Sequence, residues 1–90
     1  MKKSIITVVG KDTVGIIARV CSFLAEQKIN ILDISQTIVG GYFNMMMIVD
    51  NSEATMEQVA LADALTKLGE EIGVSIHCQN EEIFDMMHRI

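Results

Sequence analysis

The hydrophobic period changes repeatedly along the chain, and each change marks an element. Ser4 to Val9 is a short, largely apolar run (Ile5, Ile6, Val8, Val9), the pattern of a strand with apolar neighbours on both sides. Gly10-Lys11-Asp12-Thr13-Val14-Gly15 then reads as a turn. From Val14 to Lys28 the period is helical: at 100° per residue, Val14, Ile16, Ile17, Val20, Cys21, Phe23, Leu24 and Ala25 sweep a wide apolar arc opposite Arg19, Ser22 and Glu26. An arc that wide asks for more than one neighbour.

Asn30 to Val39 and Tyr42 to Val49 are β-rich runs separated by Gly40-Gly41, a two-residue loop that tolerates the positive φ angles of a tight hairpin. Pairing outward from that turn sets Ile38 opposite Phe43, Gln36 opposite Met45, Ile34 opposite Met47 and Leu32 opposite Val49, the face expected to form the core. The other face carries Val39 with Tyr42, Thr37 with Asn44, Ser35 with Met46 and Asp33 with Ile48. Ala54, Leu61, Leu65, Leu68 and Ile72 then share one helical stripe, with Met56 and Val59 off it and Gly73 placed to stop the helix. Val74 to Gln79 alternates as a final half-buried strand, and Asn80 could cap a short terminal helix, Glu81 to Ile90.

The order strand, helix, strand, strand, helix, strand is that of a ferredoxin-like βαββαβ α+β sandwich: a four-stranded antiparallel sheet with two helices on one face, here with a short C-terminal helix added. No proline occurs in the sequence, so neither edge strand is protected by one and no prolyl linker divides residues 1–90, which read as a single domain. An exposed edge and an open sheet face both favour association, side by side or face to face. At least a homodimer is expected.

Seven basic residues against twelve acidic give a net charge of −5, with only four aromatics, Phe23, Tyr42, Phe43 and Phe84. Residues 1–49 hold five bases and three acids, residues 50–90 two bases and nine acids. That balance lacks the basic footprint and stacking platforms of a nucleic-acid binder. No apolar run approaches the roughly 18 residues of a membrane span, and the start has no signal-peptide pattern, so a cytoplasmic location is expected. Cys21 and Cys78 stand far apart with no histidine at ligand spacing, the pattern of two buried, reduced thiols.

Because the fold serves many functions, candidate chemistry has to be weighed site by site. Met45-Met46-Met47 cannot converge on one metal ion, since strand neighbours point to opposite faces. His77, expected on the open sheet face, and His88 have no sequence-near partner, and Ser22 and Ser35 stand in no nucleophile setting. No catalytic residue, metal or cofactor is indicated. What remains is the turn from Gly10 to Gly15, which places unpaired backbone N–H groups at a helix N-terminus, a natural carboxylate site, with Asp12 as the expected N-cap and Gly15 allowing close approach. Asn30, where the chain leaves the helix for the second strand, is expected beside that loop. An amide there can donate to a carboxylate and accept from an ammonium group.

The run Gly10-x-Asp12-x-x-Gly15-Ile16, followed by Val20, Leu24, Ala25-Glu26-Gln27 and Asn30-Ile31, resembles the ACT domain. Asp33-Ile34-Ser35-Gln36-Thr37 and the ending Ile83-Phe84-x-Met86-Met87 resemble, more narrowly, the small stand-alone ACT proteins related to the glycine cleavage system repressor. The resemblance implies a regulatory module that binds an amino acid or other small effector at an interface between two copies. It implies ligand contacts at Gly10, Lys11, Asp12, Thr13, Val14 and Gly15 of the loop, with Asn30 and Ile31 at the start of the second strand; Val14 stands where many ACT domains have proline. The function expected is thus non-catalytic, with the signal passing to a separate protein. A ligand-independent interaction scaffold is the first alternative. A small acyl or phosphoryl hydrolase relying on Lys11 or His77 is the second.

Overall fold

A computed structural model describes residues 2–11 and 14–80. Strand β1 (Lys3–Lys11) leads into helix α1 (Ile16–Glu26), then β2 (Asn30–Val39), β3 (Tyr42–Asp50), α2 (Gln58–Ile72) and β4 (Val74–Asn80). The four strands form one antiparallel sheet in the order β2-β3-β1-β4, so β1 and β3 are central and β2 and β4 are the edges. This is the ferredoxin-like βαββαβ arrangement that the order of hydrophobic periods predicts. The terminal helix expected over 81–90, with His88 in it, lies outside the described residues, and Asn80, its expected cap, ends β4.

Alternation along the central strands decides what is buried. Ile6, Val8, Met45, Met47 and Val49 point to one face and are buried there against Val20 and Leu24 of α1 and Leu61 and Leu65 of α2. Leu68 and Ile72 pack partly against this core, while Val59, off the stripe, is 81% exposed. The second helix stops where expected, at Gly73 in the left-handed conformation (φ 80°).

Four boundaries depart from the sequence reading. Strand β1 runs on through Gly10 and Lys11, because both have ladder partners: Gly10 aligns with Phe43 on one side and Val74 on the other, and Lys11 aligns with Tyr42. Helix α1 is shorter than the arc suggests, and Val14, assigned to that arc, precedes the helix and is fully exposed. The predicted cap Asp12 and its neighbour Thr13 lie outside the described residues; the N-cap position belongs to Gly15 (φ 90°), with no side-chain cap. Finally, Ile31 and not Leu32 faces Val49, because a bulge between Ile31 and Asp33 absorbs one residue.

The hairpin register is otherwise as predicted, from Val39 opposite Tyr42 to Asp33 opposite Ile48. Gly40 (φ 58°) and Gly41 (φ 82°) both adopt the left-handed conformation of a type I′ turn. The inner face of β2, however, is not core: Leu32, Ile34 and Ile38 are 42%, 44% and 59% exposed although β3 beside them is buried. The two helices lie over β3, β1 and β4, and β2 at the other edge is left without cover on that side.

Candidate functional site

The loop after β1 is built by the abrupt passage from a paired strand to a helix. At its far end Gly15 opens α1, its carbonyl accepting the Arg19 N–H at 2.9 Å, while the N–H groups of the first turn have no intrahelical acceptor. A Cβ on Gly15 would meet nothing within 4 Å, so the backbone there is open to approach. Exposed apolar side chains stand at the same end of the sheet: Val14, Val39 and Tyr42. Gly10 is different in kind. A Cβ there would lie 2.7 Å from Val74 Cγ1, so Gly10 answers to sheet packing as well as to any ligand.

Asn30 does not join this group within one chain. It aligns with Asp50, which aligns with Lys3 at the start of β1, whereas Gly10 lies seven positions further along that strand, roughly 23 Å away at 3.3 Å per residue. The expectation that Asn30 stands beside the loop is therefore corrected: α1 carries the chain back to the opposite end of the sheet before β2 begins. Asn30 is exposed there, and Ile31 is half-buried against the core.

Hollows occur elsewhere on the described residues. One, of about 500 Å3, lies at the Asn30 end of the sheet and is lined by Lys2, Asn51, Ser52, Thr55, Glu57 and Gln58 among others. Its floor is a polar network that hydrophobic periodicity cannot reveal. Buried Ser4 has its Oγ 3.2 Å from Asn51 Oδ1 and 3.0 Å from Gln58 Oε1, Asn51 Nδ2 donates to Gln58 Oε1 at 3.1 Å, and Gln58 Nε2 donates to Cys78 Sγ at 3.6 Å. Burial pushes the Cys78 thiol pKa up, partly offset by its contacts with Gln58 and Ser4. The second hollow, about 170 Å3, is a shallow dip on the open sheet face around Thr7, Val9, Ser35, Thr37 and Asn44. Neither includes Gly10, Lys11, Val14, Gly15, Asn30 or Ile31.

Among the described residues no group of three or more His, Cys, Asp and Glu could hold a metal ion. His77 stands exposed on the open face, its Nε2 3.2 Å from Ser75 Oγ. Both cysteines are free and half-buried, less enclosed than the buried thiols expected, because each sits at the margin of the core. No described helix is long and apolar enough to cross a membrane.

An antiparallel sheet in this strand order, with an open loop at the start of its first helix and a bare edge strand, defines a small α+β module of the ferredoxin-like class. The ACT domain profile matches residues 3–79, and the chain belongs to the ACT domain family. It is 62% identical over 90 residues to a UPF0237 protein of Bifidobacterium longum, covering 100% of both chains. Among solved structures it resembles an ACT domain protein from Streptococcus pneumoniae (TM-score 0.83, 42% identity, 92% of this chain and 93% of that one). It also resembles the regulatory subunit of aspartate kinase from Thermus thermophilus (TM-score 0.65, 31% identity, 87% of this chain and 50% of that one).

Proposed function

We propose that this ACT domain is a non-catalytic regulatory module that binds a small effector, an amino acid, between two copies of itself and signals to a separate protein. The observation that carries the reading is the start of α1. Gly15 at the N-cap has no side chain to bond the first-turn N–H groups and leaves room for close approach, which suits a carboxylate, and the exposed apolar residues at that end suit a side chain. A homodimer supplies what one chain lacks. Because Asn30 and the loop occupy opposite ends of the sheet, antiparallel association of two copies brings the partner's Asn30 to the loop's end, where its amide can meet the ammonium or carboxylate group. Ile31 enters the same reading as a pocket wall beside Asn30. Lys11, Asp12 and Thr13 are proposed as loop contacts from the resemblance alone. The likeness to an aspartate kinase regulatory subunit supports the regulatory part of the proposal.

Effector binding regulates only if the effector binds one dimer arrangement better than another. The test is thermal unfolding at fixed protein concentration against each common amino acid in millimolar amounts. Ligand at a hundredfold its Kd adds about 2.7 kcal/mol, which moves the midpoint of a domain this size by about ten degrees or more. A shift with one or a few amino acids that disappears in Asn30→Ala supports the proposal. No shift in a folded dimer overturns the effector reading in favour of a ligand-independent scaffold.

A further inference from the structure

The open face of the sheet is not equally open from end to end. Alternation along β1 sends Ile6 and Val8 into the core and Ile5, Thr7 and Val9 to the opposite face, away from both described helices. Yet Ile5 is 6% exposed while standing outside the core cluster, and Ile48, its neighbour on β3, is half-buried. Asp33 and Gln79, which complete that row on β2 and β4, are exposed polar residues. One row further along the same face Met46 is 42% exposed, and in the next row Val9 is 44% exposed. The face is therefore closed near the start of β1 and open toward its end. Burial of Ile5 occurs within a single chain, so its cover belongs to that chain.

We infer that residues 81–90 of the same chain supply that cover, packing across the open face over Ile5 and Ile48. Strand β4 ends at Asn80, which aligns with Ser4, so the segment leaves the sheet one position from the row of Ile5. At 100° per residue its five apolar residues, Ile83, Phe84, Met86, Met87 and Ile90, share one arc of about 160°, and all its charged residues and His88 fall outside that arc. Ten residues of helix reach about 15 Å, and the three interstrand spacings from β4 to β2 add up to about 14 Å, so the segment matches the width of the sheet. The charges run the same way. Glu81 and Glu82 begin on the side of Lys3 on β1, and Arg89 ends toward Asp33 on β2. The other bed within reach, the hollow beside Asn80 on the helix side, is mainly polar, with Lys2, Asn51, Ser52, Glu57 and Gln58 among its walls, and suits an apolar arc poorly. The inference stands apart from the effector reading. It leaves only the half of the face around Val9, Thr37 and Asn44 free to meet another protein.

NMR on the full-length protein reads the contact directly. NOEs are expected from the Ile5 and Ile48 methyl groups to the Phe84 ring and the Met87 methyl group. In a mixture of isotope-labelled and unlabelled chains, filtered for contacts between chains, those NOEs should vanish. As a second measurement, Phe84→Ala and Ile48→Ala should be coupled: the unfolding constant of the double variant is expected to differ from the product of the single effects by about threefold or more, whereas Phe84→Ala and Val9→Ala should simply multiply. NOEs that persist between chains overturn the assignment to the same chain. NOEs from Phe84 to Ala54 or Met56 put the segment on the helix side and overturn the proposal as well. With no NOE to Ile5 and independent effects of Phe84→Ala and Ile48→Ala, the cover itself is refuted.

Discussion

Gly69 of α2 lies against the main chain of Val74: a Cβ built on the glycine would stand 2.6 Å from the Val74 carbonyl oxygen. The same valine, 8% exposed, closes from the other side on Gly10 of β1, where a Cβ would lie 2.7 Å from its Cγ1. Helix α2, β4 and β1 therefore meet at a point that admits no Cβ on either neighbour. Gly69→Ala forces backbone apart and is expected to destabilise the fold by about 1–3 kcal/mol, with Gly10→Ala in the same range or below it because a valine side chain can adjust. Urea midpoints measure both. If Gly10→Ala leaves the midpoint unchanged, the packing role of Gly10 is refuted.

Helix α1 ends on an unusual residue for its geometry. Lys28 takes the left-handed conformation (φ 59°) while its N–H bonds Ala25 O at 3.0 Å and the Ile29 N–H bonds Leu24 O at 2.9 Å, a Schellman closure with a lysine at the glycine position. Left-handed geometry costs a non-glycine residue about 1–2 kcal/mol, part of which glycine returns through the entropy of the unfolded chain. Lys28→Gly should raise stability by about 0.5–1 kcal/mol, seen as a higher urea midpoint at constant slope. A lower midpoint would contradict it.

The raised pKa of Cys78 makes stability depend on pH on the alkaline side. Below the ordinary thiol pKa, about 8.5, folded and unfolded chains both hold the proton and the contribution is intact; above it the unfolded chain releases a proton that the folded chain keeps, and stability falls until pH passes the folded value. Cys78→Ala should flatten this alkaline decline in unfolding curves taken between about pH 8 and 10. Equal slopes in the two proteins would count against it.

Asp50 shows the opposite sign at the end of β3. Ser52 Oγ and the Ser52 N–H donate to Asp50 Oδ1 at 2.6 and 2.9 Å, and these bonds hold the carboxyl below its usual range. Their contribution is present above the ordinary carboxylate pKa and is lost as pH falls through the lowered folded value. Ser52→Ala is expected to move the Asp50 titration, followed by NMR, upward toward that of a free aspartate. An unmoved titration would show that the hydroxyl is not the principal cause.

Most of the architecture was legible because burial imposes a period on each element. The alternation in β3, the stripe in α2 and the Gly40-Gly41 turn are local patterns, and local patterns suffice for element order, the stop at Gly73 and most of the hairpin register. The bulge before Asp33 left no such trace, because one inserted residue merely shifts the phase of an already apolar strand. Gly10 reads locally as a loop residue, because the partners that hold it in the sheet, Phe43 and Val74, are 33 and 64 residues away.

The candidate site divides along the same line. Gly15 at an open helix start follows from nearby residues, since the end of a strand and the start of an apolar helical stripe bracket it. The position of Asn30 does not, because a helix after a strand returns the chain to the sheet's other end, and strand order and direction decide which residues become neighbours. The bare inner face of β2 is of the same kind: Ile34 and Ile38 have the alternation of core residues, yet the two helices cover β3, β1 and β4 and leave β2 bare. Periodicity reports which side chains seek burial within an element, and the packing of distant elements determines which of them obtain it.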